Sequence, residues 1–125
     1  MLVVYFAIFT VLLESRITSQ SPPRPTVVYS AVIYNERDSP VRCNVVRFLP
    51  SGNLVNFGPF SIRQHEQYFI KEVMGTIGTW TTFAFITKIQ CASLVLTAPF
   101  DGVMSPVKKW KFAVQQYKIL SIGPS

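Results

Sequence analysis

Two cysteines, Cys43 and Cys91, each set inside a run of β-favouring residues, constrain this chain more than any other feature. A lone pair of cysteines in strand-like surroundings reads as one disulfide formed in an oxidising compartment. Closing a loop of this length restricts the unfolded chain by about 4 kcal/mol on the chain-entropy model. That is a large share of the roughly 5–15 kcal/mol that holds a small domain together. The alternative is a pair of buried free thiols, the expectation for a chain kept in reducing surroundings.

The runs around the cysteines carry a period of two. Residues 26–35, TVVYSAVIYN, form a first strand, and NERDSP makes the turn after it. Residues 41–49, VRCNVVRFL, set Val41, Cys43 and Val45 against Arg42 and Asn44 and then break at Val46, as a bulge or an edge position would. PSGN at 50–53 is a turn, NLVNF a short strand, and Gly58-Pro59 interrupts before FSI. Residues 78–91, GTWTTFAFITKIQC, place Phe83, Phe85, Ile89 and Cys91 on one face and Trp80, Thr82, Ala84, Ile86 and Lys88 on the other. That reads as one buried central strand with both phenylalanines in the core. SLVLTAP, the Asp101-Gly102 turn and WKFAVQQYKILSI supply the last elements. Residues 61–75 allow a short helix, since Ser61 and Gln64 fit a capping box and Phe69 and Val73 stand four apart. Tyr68, Phe69 and Ile70 in succession favour a strand there instead.

About seven short strands in about 100 residues predict an all-β fold, a single small antiparallel β-sandwich. The architecture is immunoglobulin-like without the family signature. Phe57 stands where a buried Trp would follow Cys43, and Ile89 stands where the tyrosine corner would precede Cys91.

Residues 2–13 form an apolar run that is too short for a bilayer core needing about 20 residues. Followed by Glu14, Arg16 and small polar residues, it matches the h-region of a secretory signal peptide cleaved near Ser19. The expected organisation is a signal peptide over 1–19, an extended lead-in over 20–25 and a β-sandwich domain over 26–125. The expected location is extracellular, with no transmembrane segment in the mature chain. Apolar residues at 49% against 14% charged give the chain enough to bury for an ordered core.

The inventory for catalysis is poor. His65 is the single histidine, in the polar stretch RQHEQ, so no histidine-rich metal site can be assembled and no nucleophile motif accompanies it. Asp38 and Asp101 stand in turn contexts where Asp is expected for backbone reasons. Glu66 and Glu72, six residues apart on a strand at about 3.3 Å each, would be separated by some 20 Å, beyond either carboxylate spacing that glycosidases use. No glycine-rich phosphate loop, EF-hand loop or dinucleotide fingerprint occurs. No catalytic residue, metal site or cofactor is expected.

Charge is the remaining signal. Twelve basic residues against six acidic ones leave a net charge of +6, which favours an anionic partner. The densest cluster is PVKKWKF, where Lys108, Lys109, Trp110 and Lys111 form a candidate anionic-binding patch. With Trp110, Phe112 and Val114 facing inward, Lys109 and Lys111 share the outer face. An alternative makes these lysines guards of an exposed strand edge. The expected function is a secreted, non-catalytic binding or structural module that contacts an extracellular protein or an anionic glycan and self-associates through its edge strands. A small secreted effector, toxin or inhibitor is the second reading. Nucleic acid is not expected as a partner.

Overall fold

The computed structural model describes residues 25–125. The predicted signal peptide and nearly all of the lead-in therefore lie outside the described residues. Within them the chain forms ten strands and no helix: β1 (Ala31–Asn35), β2 (Val41–Phe48), β3 (Leu54–Ile62), β4 (Gln67–Ile70), β5 (Met74–Ile77), β6 (Trp80–Phe83), β7 (Phe85–Cys91), β8 (Leu94–Thr97), β9 (Trp110–Val114) and β10 (Ile119–Pro124). One sheet has the order β10-β9-β1-β4, the second β3-β2-β7-β8, and β5 and β6 form a separate two-stranded hairpin. The expected sandwich is present with ten strands rather than about seven. All neighbouring strands run antiparallel except β1 and β9, which are parallel.

Alternation builds the core. From the first sheet, Ile33, Ile70, Trp110, Phe112 and Val114 enter it; from the second come Val41, Cys43, Val45, Ile86, Ile89 and Cys91. Phe100, next to the Asp101-Gly102 turn, meets Phe112 edge-on at 4.9 Å between centroids. A buried Asn35 closes the end of β1 with its polar groups satisfied. Its Nδ2 donates to the carbonyls of Ser39 and Ile62, at 2.9 and 3.0 Å, and its Oδ1 accepts from the amide of Arg37. Such satisfaction removes the penalty that a buried amide otherwise carries.

The disulfide joins Cys43 to Cys91, which are direct cross-strand partners on β2 and β7. Their Cα atoms lie 4.1 Å apart. The amide of Ala92 donates to the carbonyl of Arg42, which makes the preceding pair hydrogen-bonded and the cysteines the close, non-hydrogen-bonded pair.

Several local expectations are corrected. Residues 78–91 are not one buried strand: Gly78 and Thr79 form a tight turn, Trp80–Phe83 returns along the hairpin, and only Phe85–Cys91 is a central strand of the sandwich. Phe83 and Phe85 are half-buried, and Ala84 and Ile86 take the core positions. The cause is a bulge. Val46 pairs with Lys88 but Arg47 with Ile86, so Thr87 is an extra residue that reverses the parity of everything before it. The break read at Val46 is likewise absent from β2, whose in-out alternation runs unbroken through Phe48. The irregularity lies in its neighbours. On the other side β3 carries its own extra residue at Gly58-Pro59, yet remains one strand. Residues 61–75 hold the end of β3, a turn, β4 and the start of β5, so the strand reading holds and the helix does not.

Candidate binding surface

His65 sits in the turn before β4 with φ of 60° and a largely exposed side chain, its Nε2 3.4 Å from Asp38 Oδ1. Among the described residues, no group of three or more His, Cys, Asp or Glu side chains is brought together.

The lysine cluster is divided by the fold. Trp110 is in the core, its Nε1 donating to Ser121 Oγ at 2.8 Å, so it is not part of the surface. Ser121 in turn donates to the carbonyl of Asp101. Lys108 precedes β9. Its Nζ lies 4.5 Å from the ring centroid of Phe83 and 3.7 Å from Glu72 Oε2. Lys109 adopts a left-handed φ of 56°, its amide donating to the buried Ser30 Oγ at 2.8 Å. Lys109 lines a shallow depression with Val32, Gln67 and Phe69. Lys111 pairs with Val32 and rests on the Tyr34 ring at 5.4 Å, so Lys109 and Lys111 do share the outer face of the first sheet. Because β9 lies between β10 and β1, the lysines guard no strand edge. Among the edge strands, β3 carries a proline, Pro59, within its run.

The feature that sequence reasoning missed is Arg47. Strict alternation along β2 puts it on the same side as Val41, Cys43 and Val45, and it is only 7% exposed. Nη2 donates to the carbonyl of Lys71, just past β4, and Cζ stands 5.9 Å from the Phe57 centroid. Nε is buried with no hydrogen-bond partner among the described residues. Burial lowers the pKa of the guanidinium by disfavouring its charged form. Arg47 forms one wall of a cavity of about 240 Å³ between the edges of the two sheets, lined also by Phe57, Tyr68, Phe69, Ile70, Lys71 and Val73. The Tyr68 ring stacks on Phe60 at 4.3 Å, joining β4 to β3. The signal that could have found Arg47 was parity: it stands two residues beyond Val45, on the apolar face.

Apolar side chains surround this opening. Phe57, Phe69 and Val73 are exposed on its rim, and Leu54 and Val55 are exposed farther along β3. The β5–β6 hairpin continues from Val73 and presents Met74, Ile77 and Trp80, the last 78% exposed. Its base is closed by the amide of Ala84, which donates to the carbonyl of Val73 at 2.7 Å. Gly75 packs against Pro50 so closely that a Cβ would meet the proline ring at 2.8 Å. The hairpin is thus seated on the β2–β3 turn.

No family model, curated protein or solved structure matches this chain. Among the described residues, no helix is long and apolar enough to cross a membrane.

Proposed function

We propose that the chain is a secreted, non-catalytic binding module that engages an extracellular partner protein through the opening between β3 and β4 and the adjoining β5–β6 hairpin. The observation that carries the reading is Trp80, 78% exposed beside the hairpin turn, with its cross-strand partner Ile77 exposed on the same face of the ribbon. An isolated two-stranded ribbon is marginal in water. A contiguous exposed apolar surface on such an element is the kind of feature that marks a protein contact, and aromatic anchors dominate such contacts. The disulfide supports an oxidising compartment.

The test is capture of partners from extracellular fluid by the immobilised full chain, compared with Trp80→Ser and Ile77→Ser. Loss of a captured protein with an unchanged melting temperature is expected; identical capture by both variants would overturn the reading. Contact with an anionic glycan is the second reading. Lys109 and Lys111 on one outer face, in a chain of net charge +6, favour it.

A further inference from the structure

The inside of the sandwich carries a charged side chain with nothing of opposite sign paired to it among the described residues. Arg47 occupies a core-facing position of β2, its Nε has no hydrogen-bond partner among those residues, and its one resolved hydrogen bond goes to the neutral carbonyl of Lys71. The two ion pairs among the described residues lie elsewhere, at His65–Asp38 and Lys108–Glu72. A guanidinium does not shed its proton at ordinary pH, so the charge stays. A Met or Leu would fill the same space without the desolvation cost. The charge also borders a cavity, of about 240 Å³, whose other walls are mainly rings and aliphatic chains, Phe57, Tyr68, Phe69, Ile70 and Val73, with Lys71 the remaining lining residue.

We propose that this cleft is a carboxylate-binding site whose ligand has a flat aromatic or short apolar body about the size of one side chain. The carboxylate belongs either to a free small acid or to the C-terminal residue of a peptide. The proposal deepens the binding-module reading and rests on it. Three properties select the ligand class. The cavity is smaller than the 300–1,000 Å³ usual for drug-sized ligands, so the body must be small. The aromatic and aliphatic lining favours a flat or short apolar body. A planar guanidinium matches a carboxylate in shape and answers one negative charge, whereas a phosphate dianion would bring a second, for which the only other cation on the lining is the exposed Lys71.

The test follows the Arg47 Nε–H resonance of the ¹⁵N-labelled full chain by NMR. The probes are phenylacetate, a short peptide ending in Phe with a free carboxylate, the same peptide amidated, inorganic sulfate and inorganic phosphate. A saturable shift with phenylacetate, with the free-carboxylate peptide or with both is expected, and the responding probe identifies the source. Arg47→Lys keeps the charge but loses the planar fork, and should weaken binding at least tenfold. Should that variant fail to fold, Phe57→Ala on the exposed rim should weaken it severalfold. No saturable shift with either carboxylate, or an equal response to sulfate or phosphate, would overturn the proposal. If capture through Trp80 persists without any carboxylate response, the cleft assignment fails and the binding-module reading stands. A saturable shift without capture through Trp80 supports the cleft and removes the hairpin surface alone.

Discussion

Cys43 and Cys91 face each other within one sheet, Cα to Cα at 4.1 Å, and do not bolt the two sheets together. Both are fully buried, so the native bond is shielded from reductant. Replacing both by Ala should cost about 4 kcal/mol, the loop-closure contribution of a link spanning 48 residues. Thermal unfolding of the double variant checks the cost, and with a thiol reductant present, labelling of the unmodified chain should begin only once denaturant is added.

Ile86 and Phe85 are adjacent but face opposite ways, Ile86 into the core and Phe85 toward Phe48 at 5.3 Å. Ile86→Ala should destabilise by about 2–5 kcal/mol. Phe85→Ala gives up an aromatic pair of about 0.5–1.5 kcal/mol and only part of a core contact, so its loss should be the smaller. Urea midpoints of the two variants check the order, and a reversed order would place the Thr87 bulge wrongly.

Gly58 has φ of +121°, and a Cβ there would meet the Cys43 carbonyl and Asn44 Oδ1, each at 2.8 Å. Gly58→Ala therefore combines a disfavoured backbone with a clash and should cost at least about 2 kcal/mol. Gly78, at φ of +61° in the hairpin turn, has no neighbour within 4 Å. Gly78→Ala should cost about 1–2 kcal/mol, the left-handed penalty alone. Denaturant melts of the pair check the difference.

Neutralising Lys108, Lys109 and Lys111 together should remove retention on heparin. In the unmodified chain that retention should fall steeply toward physiological salt, where screening shortens the reach of exposed charge to about 8 Å. Two ring contacts are lost as well, Lys108 on Phe83 and Lys111 on Tyr34, so a decrease of about 1–2 kcal/mol in stability is expected. Light scattering should show no new aggregation, because β9 is flanked on both sides.

Period-two patterning made the sandwich legible, and with it the cysteine pair, the turns at 50–53 and 101–102 and the inward facing of Trp110, Phe112 and Val114. The misreadings share one physical origin, that parity survives only as far as the next bulge. Thr87 turned Phe83 and Phe85 outward, and no residue type near it announces an extra position. Arg47 was hidden by the opposite habit, in which a charged residue is taken to face solvent and the pattern is said to fail around it. Alternation from Val41 through Val45 already carried it inward. The cleft lies where β3 and β4, consecutive in the chain, pass from the edge of one sheet to the edge of the other, and strand periodicity does not tell which sheet a strand joins.

The bond between Cys43 and Cys91 turns the stretch between them into a covalent ring. Arg47, Phe57, Tyr68, Val73 and Trp80 all lie on that ring, while β1, β9 and β10 lie on the two arms outside it. A protease that nicks one exposed turn within the ring, at 50–53 or at 78–79, opens the circle without releasing a fragment. The walls of the cleft and the hairpin stay tethered to the arms through either remaining path. A cut in an arm, such as the loop between β8 and β9, severs the molecule in two.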